Sequence, residues 1–293
     1  MRHLQTFLVV ARTGGVTRAA AVLDYAQSSV TAQIRALEDD LGVALFDRTA
    51  RGMTLTAAGT RLLEHAGALV DLASEAREAV RGQDAPHGVL TLGSSESLCV
   101  YRLPSALALF QTRFPHVTLD VRTGTCIALY EGTRDGSLDL AVVMDEPVLP
   151  AGLAAEPLRR ETVVMLAAPT HPLAYCASVT PADLAGEPLV VTESGCSYRE
   201  VFLRTLEECG VYPASLSTFS SVEAIKHCVI AGMGITVLPQ ATAAAEILSG
   251  RLAVVRWAGP DFSLTTQVVM RQRQTLSPAA RAILRLLHET VGE

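Results

Sequence analysis

The sequence predicts a multidomain α+β chain: an N-terminal winged helix-turn-helix, a long linker helix, and a C-terminal two-lobed α/β domain. Three observations predict it. Residues 14–56 carry a helical apolar period, broken by turn residues and followed by a hairpin pattern. Residues 59–82 keep a helical period without a break. From Gly88 onward, short strand-like apolar runs alternate with helical ones. The 293 residues, 49% of them hydrophobic, suffice for more than one core. The expected boundaries are 1–58, 59–82, a hinge at 83–87, and 88–293.

The head comes first. Leu4, Phe7, Leu8 and Ala11 form one apolar stripe, and Gly14-Gly15 ends that helix. Thr17 is placed to cap a second helix, Arg18 to Leu23, with Asp24-Tyr25-Ala26 as the turn. Val30, Ile34, Leu37 and Leu41 then recur as the buried stripe of a third helix, closed by Gly42. Gln27, Ser28, Thr31, Gln33 and Arg35 are assigned to its opposite face. Such short or forked hydrogen-bonding groups suit base edges and phosphates. Leu45–Arg48 and Met53–Thr56 read as two strands around a tip, with Arg48 and Arg51 placed to enter a minor groove or clasp a backbone. Arg18 and Thr54 complete the DNA-facing set. Seven arginines against five acids make the first 61 residues positive by two, which leaves −8 for the rest of a chain whose total is −6. A mildly basic head on an acidic body fits a DNA reader joined to something that should not bind DNA.

Along the linker helix, Leu62, Ala66, Leu69, Ala73, Ala76 and Val80 are spaced alternately by four and three, the spacing of a heptad seam. The seam is expected to pair two chains.

The body begins as β-α-β-α-β: strands at Val89–Leu92, Val117–Val121 and Leu138–Met144, with helices between. That order predicts a parallel sheet with helices on both faces. A second set follows from Thr162 to Val237, with a capping box read at Ser220-x-x-Glu223. A returning strand at Gln267–Met270 and a helix capped by Ser277 send the chain back to the first lobe. Lobe I is therefore expected at about 88–160 and 266–293, and lobe II at about 161–265. Ligands of such sheets sit beyond the carboxyl ends of strands, near helix N-termini. Four loops meet that rule and supply Ser95, Ser97, Thr123, Thr125, Gly195, Cys196, Ser197, Ser220 and Ser221. Free N–H groups there favour a small anion. Glu96 opposes it, and should either face away or meet a cationic ligand.

Leu4 to Gly67 resembles the N-terminal domain of the LysR-type transcriptional regulators. The matching pieces are AAxxL at Ala19–Leu23, then QSSVTAQIRALEDDLGVALFDR, then LTAAG at Leu55–Gly59. The body resembles the effector-binding domain of the same family, itself similar to periplasmic solute-binding proteins. It does so through Leu103–Pro115, DGSLDLAVV at Asp135–Val143 and SSVEAIKHCVIAGMGITVLP at Ser220–Pro239. The resemblance implies base contacts at Gln27, Ser28, Thr31 and Ala32. Many members have arginine at the last of these, and alanine cannot hydrogen-bond a base, so the target sequence should differ. It also implies an interlobe cleft lined by Ser97, Thr125 and the Gly195–Ser197 loop, a small-molecule effector and no cofactor. The linker helix becomes a dimerisation helix, the assembly a homodimer or homotetramer, and the operator an inverted repeat, with RNA polymerase as a further partner.

Other classes fit less well. No GxSxG elbow, Walker loop, GxGxxG or HExxH marks an enzyme, and His171 and His227 have no identifiable acid partner. No secretory leader and no run of about 20 apolar residues is seen, so the expected location is cytoplasmic, away from membranes. The six cysteines show no zinc rhythm. Peroxide-sensing members of the family place a reactive cysteine in a loop like that of Cys196. Here Ser197 stands where that thiol would fall and Leu206 where its partner would, with Cys209 thirteen residues after Cys196. A redox role for Cys196 is the alternative reading.

Overall fold

In the computed structural model, which describes residues 1–49, 52–81, 86–147, 149–262, 264–272 and 275–292, with backbone alone at 48, 49, 64, 68, 71, 72 and 74–81, the head comprises three helices and a hairpin. These are α1 (Arg2–Thr13), α2 (Val16–Leu23), α3 (Gln27–Leu41), β1 (Phe46–Thr49) and β2 (Gly52–Leu55). Val30, Ile34 and Leu37 of α3 bury against Phe7, Leu8 and Val10 of α1 and against Ala19 and Ala20 of α2. The paired alanines let the helices approach closely. Leu41, expected in that stripe, is instead exposed. Thr17 does not cap α2, because the helix starts one residue before it, behind Gly15. Glu38 turns back from α3, and its carboxylate accepts the Leu45 N–H at 2.8 Å and the Phe46 N–H at 3.3 Å, which sets the entry into β1. The hairpin is pinned at Gly52, whose φ is 133°. A Cβ there would stand 2.6 Å from the Gly14 carbonyl oxygen, so the wing can lie against the α1–α2 turn only with glycine at that position.

Helix α4 (Ala57–Arg81) leaves the head as one rod. Its first turns do not form the seam expected from the heptad spacing. Ala66 is fully buried in its own chain and Leu62 packs against the same head core. A helix leaving a small domain must cover that domain's open side, and α1 claims these two positions. Leu69 is 47% exposed. Ala76 and Val80 have side chains outside the described residues, as does Arg48; Arg51 and the first part of the hinge, 83–85, lie outside them altogether.

The body opens with β3 (Gly88–Ser94), α5 (Glu96–Tyr101), α6 (Pro104–Arg113), β4 (Val117–Thr123), α7 (Cys126–Asp135), β5 (Leu140–Asp145) and β6 (Leu153–Glu161). Next come β7 (Val163–Ala167), β8 (Pro188–Thr192), α8 (Ser197–Glu208), β9 (Ser215–Phe219), α9 (Val222–Ile230), β10 (Thr236–Pro239), α10 (Ala244–Leu248) and β11 (Ala253–Val255). The chain closes with β12 (Leu264–Arg271) and α11 (Pro278–Thr290). The first sheet has the order β4-β3-β5-β12-β6. It is mixed rather than parallel: β3 runs parallel to β4 and β5, whereas β12 pairs antiparallel with β5 and β6. The sequence pattern missed β6, which sits at the sheet edge and carries Pro157, a residue that edges tolerate. In the second lobe β8 and β9 are parallel, and β7 lies between β10 and β11.

The body also touches the head. The Arg12 guanidinium of α1 donates to the Gly136 carbonyl, and within the body Arg271 Nη1 donates to Thr133 O at 3.2 Å. Both carbonyls lie at the C-terminal end of α7, where the helix dipole favours cations. The other end of α7 reaches the interlobe cleft.

Candidate nucleic-acid interface and ligand cleft

On α3, residues 27, 28, 31, 32 and 35 fall on one side, away from the buried stripe. Gln27, Ser28, Ala32 and Arg35 are exposed and Thr31 is half-buried. Together with Gly14, Gly15, Thr17, Arg18, Gly52 and Met53, the residues Gln27, Ser28 and Thr31 line an open concavity of about 650 Å³. The helix start is stiffened from within: Gln27 Nε2 donates to the Thr17 hydroxyl, and the Thr31 hydroxyl donates to the Gln27 carbonyl at 3.0 Å. Thr54 is exposed on β2, opposite Asp47. Gln33 does not belong to this face. Its Oε1 accepts the buried Thr6 hydroxyl of α1 at 2.6 Å. The reason lies in the helical period: Gln33 is three residues from Val30 and four from Leu37, which places it on the inner stripe.

In the body, α7, α8 and α9 point their N-termini toward one cavity of about 60 Å³ between the lobes. Ser95, Ser97, Thr125, Cys196, Ser197 and Ser220 all line it. Thr123 does not; it is exposed at the end of β4. Gly195 packs behind Thr125, toward an adjoining hollow beside Tyr130 and Asp145. Ser221 is turned to Glu96, to whose Oε1 it donates at 3.4 Å. The cavity also takes in Glu96, Gly124, Met144, Thr192, Glu193, Tyr198 and Val222. Most of these flank the hydroxyl-rich loops, at strand ends that point inward, and a spatial rather than a local signal marks them.

Glu96 does not face away. Its Oε2 accepts the Val222 N–H, the first of α9, at 3.3 Å. The capping box read at Ser220 and Glu223 is thus replaced by a carboxylate from the other lobe. Glu223 has a different role: Tyr101 of α5 donates to it, and Lys226 approaches it at 2.7 Å. Lys226, the sole lysine of the sequence, is 3% exposed and also donates to Tyr101 Oη at 3.0 Å, Thr242 O at 2.9 Å and Glu246 Oε1 at 3.2 Å. Burial works against its charge, but the hydrogen bonds to Glu223, Tyr101 and Glu246 outweigh burial and bring its pKa up to about 12. This ionic cluster lies within the second lobe, and the Tyr101 hydroxyl of α5 joins it from the first, so one flank of the cleft is tied across the lobes through Tyr101. The Arg204–Glu146 pair, at 2.8 Å, adds a second tie on its rim.

Most hydroxyls of the cavity are already engaged. Thr125 caps α7 at Ala128 N, the Ser95 and Ser97 hydroxyls lie 3.3 Å apart, and Ser197 donates to Cys126 Sγ at 3.2 Å. Burial pushes the Cys126 thiol up to about 12, and burial likewise raises Cys196 against weaker help from Thr192 and Tyr198. Both thiols stay protonated at neutral pH, the opposite of the thiolate a peroxide sensor needs. The buried Thr192 hydroxyl faces the Cys196 thiol and the Tyr198 hydroxyl, but makes no hydrogen bond of good geometry among the described residues. None of those residues forms a cluster of His, Cys, Asp or Glu able to hold a metal, and no helix among them is long and apolar enough to cross a membrane.

A winged head on a rod-like helix, joined to two α/β lobes around a small polar cleft, defines a ligand-responsive DNA-binding regulator. Residues 1–60 match the bacterial regulatory helix-turn-helix of the lysR family, and residues 83–292 match the LysR substrate binding domain. The chain belongs to the LysR family of transcriptional regulators, which are not enzymes. It is 36% identical to the HTH-type transcriptional regulator YwqM of Bacillus subtilis, over 99% of both chains. It is 34% identical to GltR of the same organism, over 96% of this chain and 93% of that one. A full-length OxyR variant from Pseudomonas aeruginosa superposes with a TM-score of 0.78 at 23% identity, covering 99% of this chain and 93% of that one, a likeness of fold. Membership implies DNA binding and self-association, and the second domain is an effector-binding domain.

Proposed function

We propose that two copies pair through the outer part of α4 and present two heads to an inverted-repeat operator, as a homodimer or a homotetramer built from it. Residues 1–58 then act as the DNA reader, 59–82 as the pairing helix and 88–293 as the sensor. Each α3 lies in a major groove with Gln27, Ser28, Thr31 and Arg35 toward the bases and phosphates, while Arg18, Thr54 and the wing arginines Arg48 and Arg51 hold the backbone or the adjacent minor groove. Ala32 makes at most an apolar contact, as with a thymine methyl. A small molecule of a few heavy atoms binds between the lobes and shifts the geometry of the assembly, and RNA polymerase reads the result in the cytoplasm. What carries this reading is the outward row on α3, free of core packing and lining an open concavity at the helix start.

The test is quantitative binding of the purified full chain to fragments upstream of its own gene and of the divergent neighbour. Specific binding should weaken steeply with salt, and Gln27→Ala should lower it while leaving the fold intact. Absence of any salt-sensitive preference among fragments would falsify the reading of the head. A lone subunit at working concentration would remove the paired heads.

A further inference from the structure

Taking the interlobe cleft as the ligand site, we propose that the Glu96 carboxylate occupies its anion position from within the chain, so that the cleft admits a small neutral or cationic molecule bearing hydrogen-bond donors. The N-termini of α5, α7, α8 and α9 all reach this cavity, α5 carrying Glu96 itself in its first turn, and a bare N-terminus attracts an anion. That of α9 is already filled. Glu96 Oε2 accepts from Val222 N at 3.3 Å, and its Oε1 accepts from the Ser221 hydroxyl at 3.4 Å. The carboxylate reaches α9 from α5, in the opposite lobe, and stands where a free carboxylate would bind.

The rest of the lining agrees. Among the described residues around the cavity none is Lys, Arg or His, whereas Glu193 adds a second carboxylate at the rim. A ligand anion about 5 Å from Glu96 would lose on the order of a hundredfold in affinity at the effective dielectric of a partly buried site. The N-terminus of α7 is already capped by Thr125, and that of α8 returns at most about thirtyfold in a partly buried site. Repulsion wins, and an anion is turned away. What the cavity leaves poorly satisfied is the Thr192 hydroxyl, buried to 5% exposure and close to Cys196 and Tyr198 without a hydrogen bond of good geometry to either. A ligand hydroxyl, amide or ammonium satisfies it and can turn a donor to Glu96. The volume of about 60 Å³ holds about four water-sized groups.

Thermal unfolding of the full chain in sodium acetate, in sodium chloride of equal ionic strength and in acetamide tests this. Acetate and acetamide have the same shape and differ in charge. Glu96→Ala vacates the N-terminus of α9, and acetate should refill it, raising the Tm of that variant while leaving wild type unmoved. Glu96→Gln keeps an acceptor for Val222 and sheds the charge, so it should bind acetate at least about tenfold more tightly than wild type does. If acetate moves wild type as much as the variants, moves neither variant, or is preferred to acetamide by wild type, the proposal is overturned. Promoter affinity measured alongside separates the two readings. Acetate that refills Glu96→Ala without changing promoter binding leaves Glu96 in its place and removes the sensor role of the cleft.

Discussion

The reading face of the head and the cleft of the body are both built from short polar side chains at helix N-termini, yet they arise in opposite ways. The face comes from one stretch, Gln27 to Arg35, and its side chains project from a helix whose other side is fixed by packing. The cleft gathers residues from Ser95 to Val222, and most of its hydroxyls are already engaged, Ser95 with Ser97, Thr125 with its own helix and Ser197 with Cys126 of the other lobe. A local face is open to whatever docks on it. A convergent cleft is defined by the few groups its own contacts leave over.

The largest effect expected from that contrast lies in the ties between the lobes. Lys226→Met leaves the buried Glu246 with Arg251 alone, removes the donor to Tyr101 and leaves Glu223 with Tyr101 alone. Breaking a buried pair by deleting one partner costs about 3–5 kcal/mol. Urea unfolding should show a loss of that size, and a loss below about 1 kcal/mol would mean that the Lys226 cluster does not support the second lobe and its Tyr101 contact. The sign of the pH dependence follows from the raised lysine. Its contribution is complete below the ordinary value of 10.5 and falls away as pH rises through about 12.

The thiols come next. At neutral pH the thiolate fraction of Cys126, with a pKa near 12 against an ordinary 9.0, falls on the order of a thousandfold. Cys209 is exposed on the far end of α8. Iodoacetamide labelling followed by mass mapping should modify Cys209 first, with Cys126 and Cys196 protected until the protein unfolds. Rapid labelling of Cys196 in the native chain would revive the redox alternative.

These contrasts explain what the sequence disclosed. Apolar spacing marks Val30, Ile34 and Leu37 because burial on a helix is periodic. The same arithmetic places Gln33 on the inner stripe, yet polarity alone had put it outside. The heptad spacing of α4 was real, but spacing does not name the partner, and Leu62 and Ala66 belong to their own head. In the body, hydroxyl-rich loops at strand ends pointed to Ser95, Ser97, Thr125 and Ser197. Nothing local could tell that Glu96 caps a helix 126 residues away, or that Thr192 would be left poorly satisfied. An edge strand with Pro157 lacks the alternation by which strands are recognised.

The two glutamines of α3 sharpen the boundary between face and core. Gln27→Ala should reduce specific DNA binding by about 1–3 kcal/mol, roughly ten- to a hundredfold, with little change in stability. Gln33→Ala should do the reverse. It strands the buried Thr6 hydroxyl at a cost of about 1–3 kcal/mol in unfolding experiments and leaves base preference unaltered. Equal effects of the two substitutions on base preference would put Gln33 back on the reading side.

The smallest effect concerns the joint between head and body. Arg12 meets the C-terminal end of α7, whose first residues, Cys126 and its cap Thr125, line the cleft. A single exposed cation at a helix C-terminus contributes about 0.3–1 kcal/mol, so Arg12→Met should barely change global unfolding. Its consequence is local. Hydrogen exchange at Thr133–Leu138 should quicken, and so should exchange in the last turn of α1, because each of these segments loses a partner that the other supplied. A packed helix moves as a unit, so a change at the cleft end of α7 reaches Gly136 without any deformation of the helix between. If ligand binding and Arg12→Met alter exchange at the same α1 amides, the cleft and the head are joined through α7. If the substitution leaves α1 exchange untouched, then head and body communicate by another route, the covalent one through α4.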